Sequence, residues 1–191
     1  MICFRLRLTS VSRYFFARFD LMKWKDYGIM IRSKRYLRLR RDSSLGHMIR
    51  AIIGKNTVIQ SITDHWVSAE MIKLPQDYAL TFLNDYLFDD IEELCDLKNT
   101  CNYPCLSYLT DSVIEFLKDK SIGAQLVYME TDYFGGYGTQ AGVFFENGEM
   151  KCEPMDGDGT VNHLLRLLGV RKQLLKDEFD SLELYKYRRM D

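Results

Sequence analysis

The sequence of 191 residues contains no long apolar run, although 47% of its residues are hydrophobic. No stretch approaches the ~18 consecutive apolar residues that a membrane-spanning helix requires. Near the N-terminus, Arg5 and Arg7 stand where a signal peptide would have its apolar stretch. We therefore expect a cytoplasmic protein that does not associate with the membrane.

Closely paired metal ligands are also missing. The five cysteines are Cys3, Cys95, Cys101, Cys105 and Cys152. Their odd number and the large apolar fraction favour reduced thiols over a disulfide framework. The three central cysteines are separated by five and three residues with no histidine near in sequence, whereas structural zinc sites use tightly paired ligands. We expect neither a bound metal nor a cofactor.

Motifs for nucleophilic catalysis are absent as well. No serine lies in a Gly-x-Ser-x-Gly sequence, and no Cys/His pair has the spacing of a known catalytic family. His47, His65 and His163 are scattered along the chain, which is typical of surface or partly hydrogen-bonded histidines. The sequence therefore favours a protein that is not an enzyme.

Charge is distributed unevenly. Residues 1–50 carry 13 Lys/Arg and 3 Asp/Glu, a net charge of +10, whereas residues 51–191 carry 13 and 24, a net charge of −11. Basic and aromatic side chains interleave in the first part, as in segments that bind nucleic acid. Residues 1–50 are thus a basic extension or arm, and whether they are part of the fold stays open. They are either free to bind phosphates or attracted to the acidic remainder. Residues 51–191 are expected to form a single α+β domain.

Several helices and strands are predicted after residue 75. The patterns predict strands at 78–83, 125–134, 140–146 and 149–153. They also predict a helix from Leu87 to Cys95 capped by Asn84 or Asp85, and a helix from Thr110 or Asp111 to about Gly123. Two further helices are predicted, one capped by Thr160 or Asp158 that stops at Gly169 and one at 176–182. Asn147-Gly148 has the residues of a type I′ turn. We expect an antiparallel meander over residues 125–153, packed with three to four amphipathic helices.

The glycine-rich loop between the first two meander strands is the strongest candidate for a binding site. Three glycines within four positions mean that the backbone adopts positive φ or is closely approached by another group. The next element is a strand and no lysine follows, unlike a phosphate-binding loop. Two interpretations stay open, a bulged hairpin with structural glycines and a recognition loop with large amphipathic rings. The candidate binding residues are Glu130, Asp132, Tyr133, Gly135, Gly136, Tyr137, Gly138 and Gln140.

Two of these residues are carboxylates on one face of a predicted strand. Glu130 and Asp132 alternate with Met129 and Thr131, which places the two carboxylates about 7 Å apart. That separation suits paired acid and base chemistry, and it suits the solvated face of a sheet equally well.

Three motifs resemble segments of a group of small bacterial proteins of unassigned activity. They are Phe-Gly-Gly-Tyr-Gly-Thr-Gln at 134–140, Asn-His-Leu-Leu-Arg-Leu-Leu-Gly-Val at 162–170 and Asp-Glu-Phe-Asp at 177–180. The resemblance covers about residues 74–191, and the basic first 70 residues depart from it. Some proteins of this group are similar to immunity proteins encoded beside toxins. The resemblance therefore implies a stand-alone cytoplasmic protein, and it supplies no catalytic residues.

The favoured hypothesis is a non-catalytic intracellular binding protein, an immunity-type inhibitor of a toxin. Its acidic sheet and the loop at 133–140 would form the recognition surface, and the net charge of −11 suits a basic partner such as a nuclease toxin. One alternative is a nucleic-acid-binding protein that uses residues 1–50. The other is an enzyme that uses Glu130 and Asp132, with His163 nearby in space.

Overall fold

The computed structural model describes residues 46–95, 97–100, 103–134 and 137–190. The predictions for residues 1–45 lie outside the described residues, and they include most of the basic extension. The predicted division after residue 50 falls inside a continuous strand, which begins at Gly46.

The described residues contain one antiparallel sheet of seven strands. The strands are β1 (Gly46–Lys55), β2 (Ile72–Leu74), β3 (Tyr78–Phe82), β4 (Gln125–Phe134), β5 (Tyr137–Glu146), β6 (Glu149–Met150) and β7 (Met155–Asp156). Their order across the sheet is β2-β3-β1-β4-β5-β6, and β7 also pairs with β5. Helices accompany this sheet, so the predicted α+β class with an antiparallel sheet is confirmed.

Five α-helices and two short 3-10 helices connect the strands in the described part of the chain. They are α1 (Asn56–Thr63), α2 (Asp85–Cys95), α3 (Asp111–Lys120), α4 (Thr160–Leu167) and α5 (Glu178–Ser181), with 3-10 turns at Pro75–Asp77 and Leu184–Lys186. The predicted helices correspond to α2, α3, α4 and a shorter α5. None of these helices combines the length and the apolar character needed to cross a bilayer.

The sheet separates two apolar cores because alternate residues of each strand point to opposite faces. We call the side that carries Ile52, Tyr128 and Phe145 the front face, and α1, α2 and α3 pack against it. We call the other side the back face, where α4 and Leu182 pack against Ile53 and Val127. The sheet thus forms the middle layer of three.

The third strand of the meander is shorter than predicted. Only Glu149 and Met150 continue the ladder after the turn at Asn147-Gly148, where both residues have positive φ as expected for type I′. Met150 pairs with Phe145, so a regular ladder would place residue 153 opposite Gly142, but Met155 lies there instead. Two extra residues loop out beside Pro154, which has no N–H to offer to the ladder.

Candidate functional site

The β4–β5 hairpin ends in two exposed aromatic residues, Phe134 and Tyr137. Phe134 pairs with Tyr137, so the connection is two residues long and β5 begins three residues before the predicted strand at 140–146. Gly135 and Gly136 lie outside the described residues. The predicted five-residue loop is therefore mostly strand, and Tyr137 and Gly138 belong to the ladder.

Glycine is required at position 138 because the neighbouring strand passes very close to it. Gly138 is not among the described glycines with positive φ, contrary to one of the two expectations for this loop. A Cβ added at this position would lie 2.1 Å from the carbonyl oxygen of Asp132 and 2.5 Å from the Cα of Tyr133. No side chain fits at such distances, so the second expectation holds for Gly138.

Three large side chains are exposed together on the front face of this hairpin end. Met48, Phe134 and Tyr137 are 56%, 69% and 87% exposed. Met48 lies opposite Asp132, which lies opposite Thr139, while Phe134 and Tyr137 form the next rung outward. These five residues lie on adjacent strands and on one face, and we call them the hairpin patch.

Glu130 lies one rung further in, where it fastens a loop to the sheet. Its two carboxylate oxygens accept hydrogen bonds from the backbone N–H groups of Ser107 and Tyr108 at 3.1 and 2.9 Å. The Tyr128 hydroxyl donates to Glu130 at 2.8 Å. Burial, followed by the charge of Glu130, raises the pKa of Tyr128 well above its ordinary value, so the phenol stays protonated and remains a donor.

Glu130 and Asp132 lie on the same face of β4, as the alternation predicted, but His163 does not lie beside them. Glu130 is half-buried and its oxygens are occupied, whereas Asp132 is exposed. His163 lies on α4, which packs against the back face of the sheet. The arrangement gives Glu130 a structural role, because a carboxylate that binds backbone N–H groups is held as a fixed acceptor rather than as a proton carrier.

Arg50 borders the hairpin patch from the inner side. It lies opposite Glu130 on β1, and its guanidinium stacks 3.6 Å from the ring centre of Tyr108. Its Nη2 donates to Asp85 at 2.6 Å. This contact places the acidic N-terminus of α2 beside Arg50, which is two residues from Met48 on the same face.

The back face of the same sheet end contains a pocket, which we call the His47 pocket. Its volume is about 370 Å³. The residues lining it include His47, Thr131, Tyr133, Gln140, Phe179 and Arg188. Gln140 shapes it, since its Nε2 donates to the Tyr133 hydroxyl and its Oε1 accepts from the N–H of Val161 in α4, both at 3.0 Å. Two candidate binding residues, Tyr133 and Gln140, thus lie in this pocket.

His47 lies at the pocket wall between β4 and the C-terminal segment. Its Nδ1 is 2.9 Å from the Thr131 hydroxyl, and its ring meets Phe179 edge to face at 5.5 Å. Burial lowers the pKa of His47, the Leu184 carbonyl opposes this effect, and the charge of Arg188 adds to it. The imidazole is therefore neutral at pH 7. Sequence reasoning left His47 as one of three scattered histidines because it did not identify β1.

Two motifs that carry the bacterial resemblance contact each other at the rim of this pocket. Asn162 donates from Nδ2 to Asp177 at 3.0 Å and accepts from the N–H of Phe179 at 2.8 Å. Although burial alone would raise the pKa of Glu178, the hydrogen bond from Arg166 lowers it. The motif at 162–170, which begins in α4, and the motif at 177–180, which forms the cap and start of α5, are thus one structural unit.

Within the described ranges, no group of three or more histidine, cysteine, aspartate or glutamate residues is arranged to hold a metal ion. Comparison with known protein families, with curated proteins and with solved structures gives no significant match to this chain.

Proposed function

We propose that this protein is a non-catalytic binding protein that recognises a basic protein through the hairpin patch. The observation that carries the proposal is the exposure of Met48, Phe134 and Tyr137 on one face of adjacent strands. Aromatic residues and methionine are enriched at the centres of protein interfaces, and clustered exposed apolar side chains mark interaction sites. The patch has the composition of an interface centre with one carboxylate, Asp132, inside it.

Acidic groups beside the patch support a basic partner. Asp85 lies close to it through the contact with Arg50, and α2 presents further exposed carboxylates along the same side of the sheet, Asp89, Asp90 and Glu93. Residues 51–191 together carry a net charge of −11. Such a field accelerates association with a positively charged protein and disfavours acidic ones.

The resemblance to immunity-like proteins supplies the finer proposal, an inhibitor of a basic toxin such as a nuclease. An inhibitor of this type needs a preformed surface rather than catalytic groups. The hairpin patch is built on three paired strands and fits that requirement.

Capture from extracts of the native host tests the proposal. The full chain is immobilised as wild type, Phe134→Ala, Tyr137→Ala and Val67→Ala, and captured proteins are identified by mass spectrometry. Val67 is a matched control because it is fully exposed and apolar but does not belong to the hairpin patch. We expect a basic protein whose affinity falls about tenfold or more in the Phe134 and Tyr137 variants, as for interface hot spots, and is retained by the Val67 variant. An acidic partner, or equal capture by all four proteins, would contradict the proposal.

Nucleic-acid binding by residues 1–50 remains the alternative function, and it rests on their net charge of +10 and interleaved aromatic residues. Phosphate binding by such a segment weakens steeply with salt. An electrophoretic shift that disappears when residues 1–41 are removed would favour this function, and no shift at low salt would exclude it.

A further inference from the structure

We infer that the His47 pocket is a binding site for a small aromatic carboxylate, with Arg188 as the partner of the carboxylate group. This inference concerns the back face of the sheet and does not depend on the hairpin patch. The volume of the His47 pocket, about 370 Å³, is within the ~300–1,000 Å³ that is typical of small-molecule sites.

The aromatic part of the ligand is inferred from the pocket walls. Tyr133, Phe179 and Tyr185 line the pocket together with the imidazole of His47. Aromatic rings pack favourably on one another edge to face or with an offset, as His47 and Phe179 already do. A flat apolar ring is therefore the body that these walls accommodate best.

The carboxylate is inferred from the hydrogen-bonding groups that remain available. Arg188 forms no ion pair within the described residues, and its one side-chain hydrogen bond there is a long contact of 3.4 Å from Nε to the carbonyl oxygen of Tyr185. Guanidinium groups prefer to bind carboxylates through two parallel hydrogen bonds. The Tyr133 hydroxyl already accepts from Gln140, so its own proton is free to be donated.

The carboxylate of Asp177 also lies at the pocket wall, but it does not change the preference of the pocket for a carboxylate ligand. Its Oδ1 accepts from the N–H of Asp180 at 2.8 Å and its Oδ2 from Asn162 at 3.0 Å. Asp177 is thus held as the cap of α5, while Arg188 keeps unused donors. The available groups are mainly donors, which is the arrangement for an acceptor ligand.

Benzoate serves as the probe, with benzamide as its neutral analogue and benzylamine as its cationic one. Each is titrated into the full-length wild type, Arg188→Gln, Tyr133→Phe and Arg171→Gln, and binding is followed by NMR chemical shifts. Arg171 is a charge-matched control, because it is exposed and lies outside the pocket. The backbone of Arg188 is fixed by the hydrogen bond from the N–H of Met48, so changing its side chain preserves the local structure.

We expect saturable benzoate binding with shifts at pocket residues, weakened about tenfold or more by Arg188→Gln through loss of a charged hydrogen bond, and unchanged by Arg171→Gln. Tyr133→Phe should weaken benzoate binding less than Arg188→Gln. No saturable binding of benzoate, equal affinity of the wild type and Arg188→Gln, or tighter binding of benzylamine would each overturn the inference.

Discussion

Gly138 shows how one missing side chain permits the hairpin end to form. The strand that carries Asp132 and Tyr133 passes so close that a Cβ at position 138 would overlap its backbone. Neighbouring Tyr137 has the opposite environment, since 87% of it is exposed. Of these two adjacent positions, 138 is therefore constrained by the structure, whereas 137 is available for recognition.

We predict that Gly138→Ala destabilises the protein by about 1–3 kcal/mol, because the added methyl group pushes β4 and β5 apart. Tyr137→Ala should change the free energy of unfolding by less than about 0.5 kcal/mol, as at an ordinary surface position. Urea denaturation of both variants measures these changes in the free energy of unfolding. A large loss in the Tyr137 variant would make that tyrosine a core residue and remove it from the hairpin patch.

His47 makes the stability of the domain depend on pH. Its pKa in the folded protein lies below the ordinary 6.5, so the unfolded chain takes up a proton that the folded protein resists. The stabilisation by the neutral imidazole is complete above pH 6.5 and declines as the pH falls through that value towards the folded pKa. Between pH 7.5 and 5.5, the wild type should lose more stability than His47→Asn, which cannot titrate there. Equal losses in urea denaturation at the two pH values would show that the pKa of His47 is not lowered.

At the scale of elements, the side chain of Asn84 at the start of α2 forms hydrogen bonds with two segments. Asn84 accepts from the N–H of Leu87 at 2.9 Å and donates to the carbonyl oxygen of Ser68, also at 2.9 Å. It caps the helix and at the same time holds the preceding loop. The sequence left the cap open between Asn84 and Asp85, and the structure shows that it is Asn84. The loop contact was not predictable because it depends on the tertiary fold.

We predict that Asn84→Ala costs about 1–2 kcal/mol through loss of the helix cap. Asn84→Asp is the matched control, because a carboxylate still accepts from Leu87 but cannot donate to Ser68. Thermal unfolding should rank the wild type above Asn84→Asp and Asn84→Asp above Asn84→Ala. Equal stability of the two variants would mean that the cap contributes nothing beyond the Ser68 contact.

Elements with a local signal were predictable, whereas β1, an interior strand of the sheet, was not. Amphipathic spacing and caps identified α2 and α3, and Asn147-Gly148 identified its turn. β1 was not predicted because Ile49 to Gly54 are all buried. The strand therefore shows no alternation that would distinguish it from a loop or a short helix. The His47 pocket was not predicted either, since the residues that line it come from strands, from α4 and from the C-terminal segment. Tyr133 and Gln140 were identified from the loop motif alone.

At the scale of the whole domain that the structure describes, one sheet supports two cores. Leu87 is fully buried in the front core and Leu164 in the back core. The two leucines belong to different cores, each core packs on the same strands, and the partly buried Cys152 packs against both. The stabilities of the two cores are therefore linked mainly through the sheet.

We predict that Leu87→Ala and Leu164→Ala each cost about 2–5 kcal/mol, and that the double variant adds these losses to within about 0.5 kcal/mol. Trp66 belongs to the front core, and its fluorescence can be isolated by Trp24→Phe. In the Leu164 variant, fluorescence and circular dichroism should show the same unfolding midpoint. Separate midpoints would show that the two faces unfold independently.

The position of β1 in the middle of the sheet has a consequence for synthesis on the ribosome. Ile52 pairs with Thr81, 29 residues later, and with Tyr128, 76 residues later. At ~5–20 residues per second, the second partner is made on the order of 4–15 s after β1. During that interval residues 48–54 form an apolar nascent segment whose only charge is on Arg50. Charged residues inside such segments suppress aggregation, so we expect Arg50→Leu to reduce the soluble yield from cell-free translation, and added ribosome-associated chaperone to restore part of it.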